Sequence, residues 1–297
     1  MRTNRSSVTA EFMALFRAQE SARPERRRLF NDPFAISFLS PQFRVVCGLF
    51  RVPLVRSLLV GLIDARWPGA RTSGIARTRL IDDWVSDAVV AGARQVVILG
   101  AGFDSRAWRL SALRDLPIFE VDHPSTSAEK RRRLENIGAP TCRVTFVPVD
   151  FDRERLADAL LNAGFQPGRR TAVIWEGVTN YLTADAVDAT VRWVGTLAEG
   201  SRLIFTYVHA DALGGSGRFK GAARPLLAVA SAGEPWTFGL RPELLPSYLE
   251  ERGLRLIEDL GANEYRARTM GRSGAHASGY EFYHAALAEV GAVTCPD

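Results

Sequence analysis

Short apolar runs recur along the chain from residue 95 onward, and their spacing is what first organises it. Gln95–Leu99 (QVVIL) is uninterrupted, β-branched and closed by Gly100. Such a run suits a strand buried on both faces of a parallel sheet. Four more strand-like runs follow, at 117–121, 144–148, 172–175 and 202–208. Segments near 126–136, 152–163 and 184–198 between them are helix-like, and 75–91 sets Leu80, Ile81, Trp84, Val85, Ala88 and Val89 at helical spacing. This alternation predicts a doubly wound α/β sheet. A helix is expected over 241–252, and the runs 254–260 and 280–286 read as two last strands. No convincing helix separates those two, so antiparallel pairing is expected.

Two regions break the rhythm. Residues 1–73 carry prolines at 24, 33, 41, 53 and 68 and read as short helices joined by turns. They are taken as a helical cap on a sheet domain over 74–297, the two forming one globular unit. Residues 209–238 begin with Gly214-Gly-Ser-Gly217 and read as an insertion after the fifth strand. The most apolar stretch, 45–63, contains Arg51, Pro53 and Arg56. Two arginines near a bilayer centre cost about 5 to 7 kcal/mol, so an amphipathic cover or core packing is expected there and no membrane partner.

The 297 residues are 46% hydrophobic and 24% charged, ordinary globular values that exclude a disordered chain. The net charge is +5, and all but Lys130 and Lys220 of the 38 basic residues are arginines. Acidic residues are mixed through most of the chain, which argues against a nucleic-acid partner. Cys47, Cys142 and Cys295 show no metal-ligand spacing, no metal site or nucleophilic triad is recognisable, and the N-terminus lacks an apolar leader run. A reduced, cytoplasmic protein is the expectation.

The chemistry gathers at the ends of the runs. Gly100-Ala-Gly102 follows the first, where two glycines let the backbone turn tightly and approach a ligand. The full dinucleotide fingerprint wants a third glycine, and that position is Ser105. Asp122 ends the second run, twenty residues after Gly102, and can accept both hydroxyl protons of a ribose. Asp150 and Phe151 end the third, where a carboxylate can accept from an adenine amino group and a ring can wall it. A glycine turn with these two acids suits S-adenosylmethionine better than NAD, although a nicotinamide-dependent oxidoreductase or a non-catalytic binding module stays as an alternative. Glu176 follows the fourth run, near the reactive end of such a ligand.

The strings ARTRLIDDW, QVVILGAGFDSRAWRL, FEVDHPSTSAEK, VPVDF, IWEGVTNYL and SRLIFTYVH together resemble the leucine carboxyl methyltransferase family. The likeness is strongest to its bacterial branch of S-adenosylmethionine-dependent methyltransferases, which includes polyketide carboxyl O-methyltransferases. It spans about residues 17 to 290. The resemblance implies a class I methyltransferase, Rossmann-like fold: a seven-stranded sheet with an antiparallel last strand. It also implies that Arg77, with Arg79 as its neighbouring alternative, grips the methionine carboxylate, a task suited to a guanidinium fork. Gly100 and Gly102 then approach the methionine and ribose, Asp122 holds the ribose, and Asp150 with Phe151 the adenine. Glu176 lies near the ammonium, and Asp104 either binds or caps the next helix.

In-line methyl transfer chiefly needs alignment, worth roughly 7 to 11 kcal/mol. A carboxylate acceptor needs no base, whereas a phenol gains from one. His209, ending the fifth run, is the candidate base, though a pocket-lining or capping role is also open. Tyr181 joins it as a candidate catalytic residue. Aromatic residues outside the sheet, Phe30, Tyr181, Phe219 and Trp236 among them, suit a small organic acid or aromatic polyketide as acceptor. Arg131, Arg132 and Arg133 read as a solvated helix face.

Overall fold

The computed structural model describes residues 8–50, 52–135, 142–150, 154–214, 218–219, 222–231, 233, 235–275 and 277–291. Phe151, His276 and Cys295 lie outside them.

Seven strands form one sheet: β1 (Gln95–Leu99), β2 (Pro117–Asp122), β3 (Arg143–Pro148), β4 (Thr171–Trp175), β5 (Arg202–Val208), β6 (Leu254–Gly261) and β7 (Tyr283–Val290). Their spatial order is β3-β2-β1-β4-β5-β7-β6. The first five pair in parallel, and β7 runs antiparallel to both β5 and β6. The first six apolar runs match these strands closely, and the first and fifth match them to the residue, whereas the last, 280–286, is displaced because β7 starts at Tyr283 and runs on to Val290. Alternating side chains feed two core layers. Val96, Ile98, Ile174 and Ile204 face one side, and Val97, Leu99, Val173 and Phe205 the other.

The helices in chain order are α1 (Val8–Ser21), α2 (Pro41–Leu49), α3 (Pro53–Arg66), α4 (Ala70–Val90), α5 (Arg106–Arg109), α6 (Pro124–Leu134) and α7 (Leu156–Asn162). After them come α8 (Ala184–Gly195), α9 (Ala210–Leu213), α10 (Ala223–Ser231), α11 (Leu245–Glu250), α12 (Ala262–Met270) and α13 (Arg272–Ala275). α4, α1 and α12 cover the first layer, and α8 and α11 the second. None of the described helices is long and apolar enough to cross a membrane.

Three expectations change. Helices α12 and α13 lie between β6 and β7, where no helix was convincing. The segment ANEYRARTM is mostly polar and buries only Ala262, Tyr265 and Arg266, so its periodicity is faint. The 73/74 boundary falls inside α4, which begins at Ala70 and runs unbroken from the cap to the sheet. Arg133 is not solvated: its guanidinium lies 4.6 Å from the Phe103 ring centre and donates to the Phe38 carbonyl.

Candidate active site

Strand order reverses at β1, which has β2 on one side and β4 on the other. Ligands of open α/β sheets bind beyond the carboxyl ends of the strands at such a point. The glycine turn leaves β1 there, and Glu176 leaves β4 beside it. Gly100 has φ +62°, and a Cβ on it would sit 2.4 Å from Val178 Cγ2. Gly102 has φ +41°, yet a Cβ there would meet nothing nearer than Ala10 Cβ at 3.7 Å. The first glycine is therefore demanded by packing as well as by its backbone angle, whereas at the second the backbone angle favours glycine and α1 lies in ordinary contact with it.

One side of the turn is filled by charge. Arg77 on α4 donates to Glu176 Oε1 at 2.9 Å, and Arg106 on α5 lies 2.9 Å from Glu176 Oε2. Arg106 also pairs with Asp104 and donates to Asp82 at 2.8 Å. Arg109 forks onto Asp82 at 2.6 and 2.8 Å. Ser105 donates to Asp32 at 2.6 Å, and Arg17 joins Asp32 at 2.8 Å to the Phe103 carbonyl at 2.6 Å. Four guanidinium groups thus meet four carboxylates, all nearly dry. Burial pushes the carboxyl pKa values of Asp32, Asp104 and Glu176 up, but the arginines win. Arg106 and Lys130 hold Asp104 at about 2, Arg106 and Arg77 keep Glu176 below its ordinary value, and Arg17 and Arg109 do so for Asp32. Asp104 also accepts the Arg106 backbone N–H at 2.7 Å, so it starts α5 while pairing with Arg106.

The other side is a narrow crevice, too tight for a water molecule, lined by Ala101, Gly102, Glu120, Asp122, Ser127, Lys130 and Phe146. Asp122 accepts the Gly102 N–H at 2.5 Å and the His123 N–H at 2.7 Å. Each of its oxygens keeps a lone pair for a further donor. Glu120 and Lys130 form a buried pair at 2.7 Å. Burial dominates here: it raises Asp122 despite those two hydrogen bonds, and lifts Glu120 to about 7 against the pull of Lys130. Asp150 follows β3, and its backbone N–H donates to Glu154 at 3.0 Å.

Arg79 is not brought to the site. Two residues on from Arg77 it lies across the helix, exposed, pairing with Asp83 at 3.0 Å and donating to the Leu29 carbonyl at 2.8 Å.

Beyond Arg77 lies an aromatic cluster. The Arg77 guanidinium sits 4.6 Å from the Tyr283 ring centre. Trp236 packs on Tyr283, Phe282 and Tyr181 with ring centres 6.0 to 6.4 Å apart, and Tyr280 adds to it with a left-handed φ of 64°. Helix α1 closes over this region: the Tyr181 hydroxyl is 3.4 Å from Thr9 Oγ1, and Met13 Sδ is 3.7 Å from Arg77. His209 is buried at the end of β5 against Phe219. Its Nδ1 accepts the Asp211 N–H at 3.1 Å, which places the proton of the neutral ring on Nε2. Burial and the nearby Arg218 lower its pKa, favouring that neutral form. Both His209 Nε2 and Trp236 Nε1 are buried N–H donors with no hydrogen-bond partner among the described residues.

Arg17, Asp32, Asp82, Arg106 and Arg109 escaped the reading of the sequence, as did Tyr280, Phe282 and Tyr283. The one local signal was SRAWR after the glycine turn, two charges three apart around apolar Ala107 and Trp108.

A wider cleft of about 290 Å³, lined by Ala91, Arg170, Glu199, Arg255 and Glu289 among others, flanks the amino end of β5 and carries none of these groups.

The strand order, with its antiparallel last strands, is that of a class I methyltransferase. Residues 10–195 match the pattern of the leucine carboxyl methyltransferase family. A protein of Frankia alni provisionally named an S-adenosyl-L-methionine-dependent methyltransferase is 38% identical over 235 residues, 77% of this chain and 76% of the relative. One from Parafrankia with the same provisional name is 35% identical over 249 residues, 83% of this chain and 76% of its own. The chain belongs to the leucine carboxyl methyltransferase family. Its fold is also that of a DUF574 family protein from Streptomyces avermitilis, with a TM-score of 0.55 at 18% identity over 92% of this chain and 96% of that one.

Proposed function

We propose that this chain, an S-adenosylmethionine-dependent methyltransferase by family, methylates a carboxylate oxygen of a small aromatic or polyketide-like acid. The observation that carries the acceptor reading is the pair of orphaned donors, His209 Nε2 and Trp236 Nε1, beside the aromatic cluster. A buried donor without a partner costs about 1 to 3 kcal/mol, which an acceptor oxygen relieves. In this tautomer His209 donates a hydrogen bond and takes no proton, the arrangement a carboxylate needs and a phenol does not.

The cofactor's donor set is chemically matched. Arg77 and Glu176 suit the carboxylate and ammonium of an amino acid, and Asp122 offers two free lone pairs to a ribose. Bound S-adenosylmethionine supplies a methyl group already activated on a sulfonium. Gly102 brings no side chain against the ligand, and Tyr181 and Tyr283 exclude water around the reacting oxygen. The crevice as it stands has no room even for a water molecule, so its walls must part to admit a nucleoside. The nicotinamide alternative is disfavoured, because Ser105 stands where the third glycine belongs and spends its hydroxyl on Asp32.

Transfer of labelled methyl groups to matched aromatic acids and phenols tests the reading. Base-labile methyl esters are expected from the acids, with His209→Phe raising KM more than it lowers kcat. Base-stable ethers from phenols alone would overturn it.

A further inference from the structure

Two non-glycine residues among those described have a left-handed backbone, Asp115 and Tyr280. Asp tolerates that conformation through its short polar side chain, whereas for a bulky aromatic residue it is a genuine outlier. Strain of this kind persists only where the surroundings impose it, and it gathers at ligand sites. What imposes it on Tyr280 is explicit. Arg266 on α12 donates to the Gly279 carbonyl at 2.8 Å and so fixes the peptide plane just before Tyr280. Gly279 is wedged against the start of α4. A Cβ on it would sit 2.3 Å from the Pro68 carbonyl oxygen, and one on Gly69 would sit 2.3 Å from the Gly279 oxygen. The Tyr283 N–H closes the turn onto the Tyr280 carbonyl at 2.9 Å.

Arg266 is itself unusual. It is fully buried and makes no ion pair among the described residues. Besides Gly279 it donates to Asn263 at 2.6 Å and, at 3.4 Å, to Thr72, while its Nε has no partner among those residues. Burying a guanidinium costs free energy that neutral acceptors only partly return, so packing alone does not explain it there. The ring that the turn holds lies 5.0 Å from Phe282 and 6.3 Å from Tyr283, the residues on which Trp236 also packs. Its hydroxyl makes no hydrogen bond among the described residues. Burial, with Tyr283 and Tyr181 nearby, raises its pKa, so it remains a donor. Resting on the carboxylate reading above, we infer that the Tyr280 hydroxyl is a carboxylate-binding donor of the acceptor pocket, and that Arg266 is the positioning residue that holds it there. His209, Trp236 and Tyr280 then offer the acid three donors, none of them a cation, which leaves Arg77 to the methionine carboxylate.

Calorimetry on the full chain loaded with S-adenosylhomocysteine tests this, with benzoate and naphthoate as probes. Tyr280→Phe keeps the ring and removes the hydroxyl. The better-bound acid should then bind about tenfold more weakly, as loss of a hydrogen bond to a charged group implies, with S-adenosylhomocysteine affinity and melting temperature unchanged. Arg266→Lys, which cannot span Gly279 and Asn263 together, should also weaken the acid, and the double variant should bind it no more weakly than the weaker single one. Additive losses would overturn the positioning role of Arg266. Undiminished acid binding in Tyr280→Phe would overturn the inference even where methyl esters form. So would a loss confined to S-adenosylhomocysteine, or a wild-type chain that binds neither acid at millimolar concentration. Should phenols alone be methylated, the carboxylate reading falls, yet a loss of acid affinity in Tyr280→Phe still upholds the donor.

Discussion

The carboxylates on the two sides of the glycine turn are governed by opposite forces. On the Glu176 side every acid lies against arginine, and Asp32, Asp104 and Glu176 all ionise more readily than ordinary carboxyl groups. On the Asp122 side burial prevails, and Glu120 and Asp122 give up their protons reluctantly. The first arrangement is largely satisfied within itself and holds Arg77 and Glu176 in place. The second keeps spare hydrogen-bonding capacity on Asp122 at the wall of a narrow crevice, which is a condition for receiving a ligand's hydroxyl groups.

Removing Arg106 should break the contrast most severely. Arg106→Ala strands Asp104 in the interior and leaves Asp82 and Glu176 with one arginine each, and breaking a buried pair costs about 3–5 kcal/mol. A large fall in the urea midpoint is expected. Asp122→Asn should do the reverse: at least tenfold weaker binding of S-adenosylhomocysteine by calorimetry, with the urea midpoint nearly unmoved. Acid should separate the two sides as well. Asp104 stabilises the fold above its unfolded value of 3.8 and loses that contribution only as pH falls through about 2. Asp122, with its pKa raised, is neutralised earlier, so cofactor affinity should fail on acidification before the fold does. Glu120 works the other way: its contribution is complete below 4.5 and disappears as pH rises through about 7. Melting temperature should therefore fall between pH 5 and pH 8. The smallest effect belongs to Arg79→Ala, expected within about 0.5 kcal/mol of wild type and without change in cofactor binding.

The sheet was legible because parallel strands are buried on both faces, so QVVIL and RLIFTYV stand out as uninterrupted apolar text. Gly100, Gly102, Asp122 and Glu176 were legible because they stand at fixed places relative to those strands. The arginine network was not. Arg17 and Asp32 are 15 residues apart and Asp32 and Ser105 73, so no local pattern joins them, and a lone charge in sequence looks like a surface charge. Arg77 and Arg79 could be told apart only once α4 had a direction. His209 stood out in the sequence, but its role turned on which ring nitrogen faces the Asp211 amide.

Helix α4 starts among the cap residues and carries Arg77 on its second turn and Asp82 on its fourth, so the cap and the sheet share one rigid rod. Trimming the chain at residue 73 would amputate that rod's opening turn and also delete Arg17 and Asp32, leaving Arg109 with half its anions. Evolution, or an engineer, can thus exchange this amino-terminal portion between relatives only by transplanting the helix along with it.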